Sequence, residues 1–598
     1  NDSIVDTGEV LDFTSTNSNT LQPYLRATTA AEATDVINFI RGSQITGYRN
    51  RCITISGASA ESGCTGNQRV WKLGDIVYST PTVVASPKEQ YDLIYGDPTY
   101  TAYRIAYKNR RNVVYVGAND GMLHAFNGGV YTAGDDPATS GTTEHGWFTA
   151  NPTSGNGWGN VTLGDELWGF VPYDNLPHLK WLTQTDYTHV YYVDLKPKIT
   201  DVRIFNDSGT SVSGLVDGQS GASHPNGWGT ILIVGMRLGG GAMDITIGGS
   251  PRTFRSAYYV LDITDPERPP KLLWRFTDTG LGLTTSYPTI IHFKATNITT
   301  EKWYMMVGSG PDNNVPIGTR GYNGSSNQQG KIFAVDIMTG SLLNTFNTDL
   351  NAFLGDPTSV DRDLDYNGDV IYIGNVIKSG TTWTGGKTYR LVTNGKPDPT
   401  GTNWTLSTFF DQARPLLSPP SIAKDSLNNF WVFFGTGRFW DITDKANSDQ
   451  QAFYGIKDGC SNGSCTTTYT TANLLNTTAV KVSSSTGSAS QVSGSTAACG
   501  GSATCSYTTL IQTVRLGYQG WYVNLQDPAT PSERVLSSSV ILGGIVLFPS
   551  FIPDSDICAM LGNSFLYALY FETGTAYNKS VIGTETISGT EYNKKSTL

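Results

Sequence analysis

Residues Asp361–Asp369 read D-R-D-L-D-Y-N-G-D and place carboxylates at loop positions 1, 3, 5 and 9, as Asp361, Asp363, Asp365 and Asp369. Packed that close, the four charges repel one another, and a hard divalent cation removes the repulsion. Calcium suits such a site because it accepts roughly 6–8 oxygen ligands in a loose geometry. The spacing follows the first nine positions of an EF-hand loop, in which position 7, here Asn367, gives its backbone carbonyl. Position 6 departs from that loop, with Tyr366 where an EF-hand has Gly, and Gly368 falls at position 8. Position 12 is Tyr372, so the bidentate glutamate is missing. No amphipathic helix follows. Val370-Ile371-Tyr372-Ile373-Gly374 reads instead as a buried strand. The expectation is a calcium loop leading into a β-strand. A solvated acidic turn is the alternative, but a turn does not need Asp at every second position, and ligation does.

Other reactive constellations are weaker. Met236-Arg237-Leu238-Gly239-Gly240-Gly241 lacks the Lys and Ser/Thr of a phosphate cradle and reads as a tight strand connection. The histidines are scattered without a short metal-binding pair. His124 alternates with apolar neighbours and reads as a satisfied core residue. Asp165 and Glu166 would point to opposite faces of a strand, which favours structural or capping roles over paired acid–base work. Asp312-Asn313-Asn314 and Asn119-Asp120 are each no more than a turn signal.

These residues need a scaffold, and composition restricts it. The chain has 598 residues, 38% hydrophobic and only 15% charged, with 66 Gly, 31 Tyr and 13 Trp. Such Gly-punctuated, aromatic composition favours many short strands joined by turns. A net charge of −10 and a pI near 5.2 argue against nucleic acid as a partner, because no basic stripe exists to displace counterions. No apolar run is long enough to predict a transmembrane helix. The first residues, Asn1-Asp2-Ser3, carry no Met and no leader pattern, which suggests a processed or partial product. Six of the seven cysteines fall in close pairs, Cys52 with Cys64, Cys460 with Cys465 and Cys499 with Cys505, in Gly/Ser/Thr-rich loops. Short-loop disulfides of an exported protein are expected, with exchange among the pairs at 460–505 left open. Cys558 is the odd one, either free, buried and reduced, or paired outside this segment.

A degenerate repeat organises the chain. A Ser/Thr-Pro turn opens an apolar strand, as in Ser79-Thr80-Pro81, Ser286-Tyr287-Pro288 and Ser418-Pro419-Pro420. A second strand ends in Gly, as in Val113–Gly117, Tyr304–Gly308, Val370–Gly374 and Val432–Gly435. A third alternates and closes on a turn, as in Leu123–Gly128, Tyr258–Asp262 and Lys331–Asp336. The prediction is an all-β fold, a modified quinoprotein-like β-propeller of about seven blades, with inserted loops and one or two short helices. An N-terminal segment, 1–65, carries a helix over Thr29–Ile40 and one Cys pair. The propeller spans 66–575, with insertions near 128–165 and 445–515 and a second short helix near Leu176–Leu182. Residues 576–598 read as a polar tail.

The run Trp71–Pro81 resembles the opening strand of the PilY family, calcium-binding type IV pilus biogenesis factors and tip-associated adhesins. The likeness continues at Tyr115–Phe126 (YVGANDGMLHAF), Gly164–Pro172, Phe434–Phe439 and Phe453–Ile456. It covers roughly residues 30–575. The resemblance implies a propeller with calcium held between two strands by Asp361, Asp363, Asp365 and Asp369 and by the carbonyl of Asn367. It also implies a non-enzymatic role at the cell surface and pilus tip, with minor pilins and host or abiotic surfaces as partners. Calcium would tune pilus extension against retraction. These 598 residues include neither the von Willebrand factor A-like domain of fuller members nor an Arg-Gly-Asp tripeptide. Two rival readings stay open: a pure surface adhesin acting through the 445–515 insertion, and a quinone-dependent oxidoreductase on the same scaffold. Against the oxidoreductase, the chain has no adjacent cysteines, and its Trp residues do not recur at one blade position.

Overall fold

Short apolar strands at regular spacing pair with their sequence neighbours into six antiparallel sheets, one after another along the chain. The computed structural model describes residues 10–597 apart from 141–142, 154, 208–210, 313–323, 381, 461–465, 526–531 and 555–561. The first blade is built from Thr82–Val84, Asn112–Gly117, Leu123–Ala133 and Glu166–Phe170. The second uses Lys198–Arg203, Trp228–Val234, Tyr258–Asp262 and Lys271–Phe276. The third uses Thr289–Phe293, Lys302–Gly308, Lys331–Asp336 and Leu342–Asn347. The fourth is centred on Thr358–Val360, Val370–Ser379, Thr388–Val392 and Thr405–Phe410. The fifth uses Ser421–Lys424, Phe430–Gly435, Ala452–Asp458 and Gly520–Asn524, and the sixth Val540–Leu542, Ile545–Pro553, Gly562–Tyr570 and Ser596–Thr597. Six such sheets stand among the described residues, against the expected seven or so.

The core lies between blades. Successive residues on a strand point to opposite faces, so an inner strand covered on both sides is apolar throughout. Trp228–Val234 is buried along its whole length. Its Leu232 and Val234 pack on Tyr115 and Leu123 of the first blade. Its Ile231 and Ile233 pack on Met305, Val307 and Phe333 of the third. The same alternation joins the third blade to the fourth through Tyr304, Met306, Ile371 and Ile373. Val370 and Tyr372 meet Phe434 and Tyr454 of the fifth, whose Trp431, Phe453 and Trp521 meet Phe548 and Tyr567 of the sixth.

The Ser…Gly repeat has a physical cause. The Ser79 hydroxyl accepts a hydrogen bond from the Gly117 amide at 2.8 Å, and Ser286 accepts one from Gly308 at 3.0 Å. A Cβ on Gly117 would lie 2.3 Å from the Val193 carbonyl oxygen, and one on Gly308 2.5 Å from Leu354 Cβ. These glycines let the segment leading to the next blade approach. Gly117→Ala is expected to cost ~1–3 kcal/mol, read as a lower urea midpoint with an unchanged slope.

Several expectations change. The Ala30–Ile40 helix is present, with Thr29 accepting from the Glu32 amide, and Tyr173–Thr183 is a 3-10 helix with Pro177 inside it. Helices at Pro98–Tyr107 and Tyr507–Gly517 exceed the expected one or two, each opened by a side-chain cap from Asp97 or Ser506. Gln68–Val70 pairs with Cys52–Thr54, so the N-terminal segment runs past residue 65. Residues 576–597 are not a loose tail. Thr584–Ile587 and Thr590–Asn593 form a hairpin, and Ser596–Thr597 adds an edge strand to the sixth blade. Lys595 secures this end by donating from Nζ to the Thr477 and Thr478 carbonyls. Two disulfides join Cys52 to Cys64 and Cys499 to Cys505, which rules out exchange of the latter pair. Cys460 is also disulfide-bonded, while Cys465 and Cys558 lie outside the described residues. No helix among the described residues is long and apolar enough to cross a membrane.

Candidate metal centre

The Asp361–Asp369 loop closes the hairpin between Thr358–Val360 and Val370–Ser379, so it does lead into a strand. Strand register brings its ends together: Val360 faces Val370, and the Asp369 amide donates to the Val360 carbonyl at 2.9 Å. Asp361, Asp363 and Asp369 thereby place carboxylate oxygens within 4.8 Å of one another. Asp365 is not one of the three, and one of its oxygens accepts from the Asn367 amide at 2.8 Å. Asp361 accepts from the Leu364 and Tyr366 amides at 2.7 and 2.9 Å, and Asp369 from the Arg362 amide at 2.6 Å. These bonds fold the loop around its own carboxylates.

The departures from an EF-hand loop at positions 6 and 8 are accounted for. Tyr366 takes a left-handed backbone, φ 76°, at the position where Gly would normally serve. That conformation costs roughly 1–2 kcal/mol for a residue with a Cβ. The cost is offset by packing, since the Tyr366 ring is buried, stacked on Tyr95 at 4.1 Å and tilted against His292 at 4.2 Å. Gly368 serves close approach instead. A Cβ there would meet Ile291 at 2.1 Å, and the Gly368 amide donates to the His292 carbonyl at 2.8 Å. The Asn367 side chain accepts from the Lys294 amide at 2.9 Å, which ties that side chain to the third blade. The loop is thus fastened to the third blade.

Its charge is uncompensated. Among the described residues, none of the four aspartates forms an ion pair with a cationic side chain. The loop's own Arg362 turns inward to Asp458 at 2.8 Å. Burial, followed among the charges by Asp363, Asp361 and Asp365, pushes the Asp369 carboxyl up. Burial and Asp365 push Asp361 up, although Tyr366, Leu364 and Tyr95 hydrogen-bond to its charged form. A convergent set of hard oxygens with surplus negative charge fits calcium. Tyr95, which bonds to Asp361, comes from a helical excursion between the first two strands of the first blade, and no sequence signal pointed to it.

A titration follows. A carboxyl raised in the folded state holds its proton more tightly there, so the penalty is full above the folded value and is relieved as pH falls. In chelator at neutral pH, Asp369→Asn is expected to be more stable than wild type. The advantage should vanish as pH drops towards the ordinary carboxylate range near ~4. Thermal melts of both proteins across that range check it, and a constant difference would contradict it.

Asp120, Asp165 and Glu166 are engaged in local hydrogen bonds. His124 bonds Asp120 at 3.1 Å and Glu166 at 2.6 Å, and these partners raise it to about 9 against the opposing pull of burial. Asp165 accepts from the Thr162 amide at 2.7 Å, which is a turn cap. Asp120 also accepts from the Gly74 and Met122 amides at 2.7 and 3.1 Å. Met236–Gly241 is the expected strand connection, with Arg237 at φ 54°. Asn313 and Asn314 lie outside the described residues.

No family model matches the chain. A type IV pilus biogenesis factor PilY1 homologue of Xylella fastidiosa is 26% identical, aligned over 93% of this chain and 37% of its own length. The type IV pilus biogenesis factor PilY1 of Pseudomonas aeruginosa is 24% identical over 93% of this chain and 43% of its own length. The chain therefore spans about two fifths of the length of these relatives. The crystal structure of the Pseudomonas aeruginosa PilY1 C-terminal domain superposes with a TM-score of 0.54 at 20% identity, covering 86% of this chain and 93% of that one. The all-β architecture is therefore that of the PilY1 C-terminal domain. A europium-containing methanol dehydrogenase reaches a TM-score of only 0.24, too slight to carry an argument.

Proposed function

We propose, from the premise that this chain is a homologue of the C-terminal part of the PilY1 type IV pilus biogenesis factors, that it is the propeller module of such a factor. In this reading it is exported, sits at the cell surface and pilus tip, binds minor pilins and contacts host or abiotic surfaces. It performs no catalysis. The observation that carries the reading is the relationship over 93% of the chain to proteins named for that role.

Calcium is the proposed regulator. Asp361, Asp363 and Asp369 would hold it, with Asp365 and the Asn367 carbonyl completing the shell. When bound, the ion supplies positive charge that cancels the repulsion of the cluster. The chain's own residues determine how far that matters. Arg362 leaves the loop to meet Asp458 and the Tyr372 hydroxyl, and Arg390 meets the other Asp458 oxygen at 2.6 Å. The same oxygen accepts from the Cys460 amide at 3.0 Å. The loop is thus wired to the fifth blade and to the chain that leaves its Ala452–Asp458 strand at Cys460. Ordering the loop favours one arrangement of that face, and loosening it frees the face.

The test uses a strain deleted for its own PilY1 factor and complemented with the corresponding full-length protein, as wild type or Asp361→Ala. The wild-type protein is expected to co-purify with sheared pili and to restore surface piliation. The variant is expected to co-purify while altering the amount of extended pili. Absence of the wild-type protein from sheared pili, with normal export, would overturn the reading.

A further inference from the structure

A half-open cavity of about 360 Å³ lies between the N-terminal segment and the first blade, far along the chain from the aspartate loop. Arg49, Arg51, Trp71, Lys72, Asp75 and Tyr187 are among its walls. Its charges are unevenly matched. Lys72 is spent on Glu61 at 2.7 Å, and Asp75 accepts from Asn119 and His189 at 3.0 and 2.8 Å. Asp120, also in the wall, is engaged by His124 and two backbone amides.

The two arginines have no such partner. Among the described residues neither forms an ion pair with a carboxylate, although acids outnumber bases 51 to 41 in the chain. Among the described residues, the Nε atoms of both Arg49 and Arg51 are buried without a hydrogen-bond acceptor. Arg49 stacks on Tyr187 at 4.2 Å, and Arg51 on Phe39 at 3.6 Å. Arg51 also donates to the Phe39 and Ser43 carbonyls at 2.6 and 2.9 Å, which fixes its direction. Burial and the neighbouring Arg49 cation bring Arg51 down to about 10. Buried donors left unpaired cost free energy, and a guanidinium held in place by stacking and carbonyl bonds is suited to an anion.

We infer that this cavity binds an organic monocarboxylate, gripped by Arg49 and Arg51, with its carbon skeleton against Trp71 and Tyr187. The aromatic wall favours an organic body over an inorganic ion, and Trp71 is 60% exposed, open to an incoming ligand. Asp75 and Asp120 on the same wall repel a second negative charge, which disfavours phosphate. The volume is that of a small-ligand site. Such a carboxylate has two natural sources: a uronic-acid sugar or the C-terminus of a peptide.

Calorimetric titration with D-glucuronate, N-acetylglycine, glucose and inorganic phosphate tests the inference. Saturable binding of at least one carboxylate is expected, weakened about tenfold or more in Arg49→Gln (~1.4 kcal/mol). Glucose is expected not to bind and phosphate to bind more weakly than the carboxylate. Tighter glucuronate binding assigns the sugar source, and tighter N-acetylglycine binding the peptide source. Arg51→Lys, which keeps the charge but loses the fork, gives a second reading if Arg49→Gln melts early. The inference is overturned if neither carboxylate saturates at millimolar concentration, if phosphate binds as tightly, or if a folded variant binds as well as wild type.

Discussion

Asp361→Ala and Asp369→Lys are expected to abolish calcium binding while leaving the blades folded. Each removes one of the three carboxylates that converge within 4.8 Å, and Asp369→Lys also puts a cation where the ion would sit. The loop closes a hairpin tip, and the inter-blade cores do not use these side chains. In wild type, calcium at a hundredfold excess over its dissociation constant should add about 2.7 kcal/mol of stability. Both variants should lose that increment. Calorimetry gives the affinity, and melts with calcium or chelator give the increment. Unchanged affinity in both variants would place the ion elsewhere.

Asp458→Ala is expected to be among the most destabilising single changes outside the apolar cores. Asp458 is buried and receives Arg390, Arg362, the Tyr372 hydroxyl and the Cys460 amide. Arg390 is only 1% exposed, so removing Asp458 takes a paired carboxylate away from a guanidinium held in the interior. Breaking one side of a buried pair costs ~3–5 kcal/mol, whereas exposed pairs contribute ~0–1 kcal/mol. The partly exposed pair Arg268 with Asp265 is therefore the control, and Arg268→Ala should move the urea midpoint less. Asp458→Ala should also weaken calcium binding, because Arg362 is then free to swing towards the aspartates. A variant within ~1 kcal/mol of wild type would show that the network is not coupled to the fold.

Much of the scaffold was legible because strand patterning is local. Alternation, the Ser-Pro turn and the terminal Gly each report a backbone requirement within a few residues, and the strands at Val113–Gly117, Tyr304–Gly308 and Lys331–Asp336 lie where that pattern puts them. The helix caps at Asp97-Pro98 and Ser506 are equally local signals, but Ser506 falls in the stretch expected as an insertion and Asp97-Pro98 lies between repeat strands, where the repeat assigns nothing. The C-terminal strand escaped notice for another reason. Thr597 pairs with Leu566, and an edge strand with one wet face has little apolar periodicity of its own.

The chain alone placed four aspartates within nine residues just ahead of a hydrophobic strand, in the alternation that metal ligation needs. Only the tertiary structure decided which three converge and that Arg362 faces inward. It also decided that Tyr95, more than 260 residues earlier, supports Asp361 and Tyr366. The same holds for the unpaired arginines beside the first blade. Whether a charge has a partner depends on distances across blades, and chain spacing carries no record of those distances.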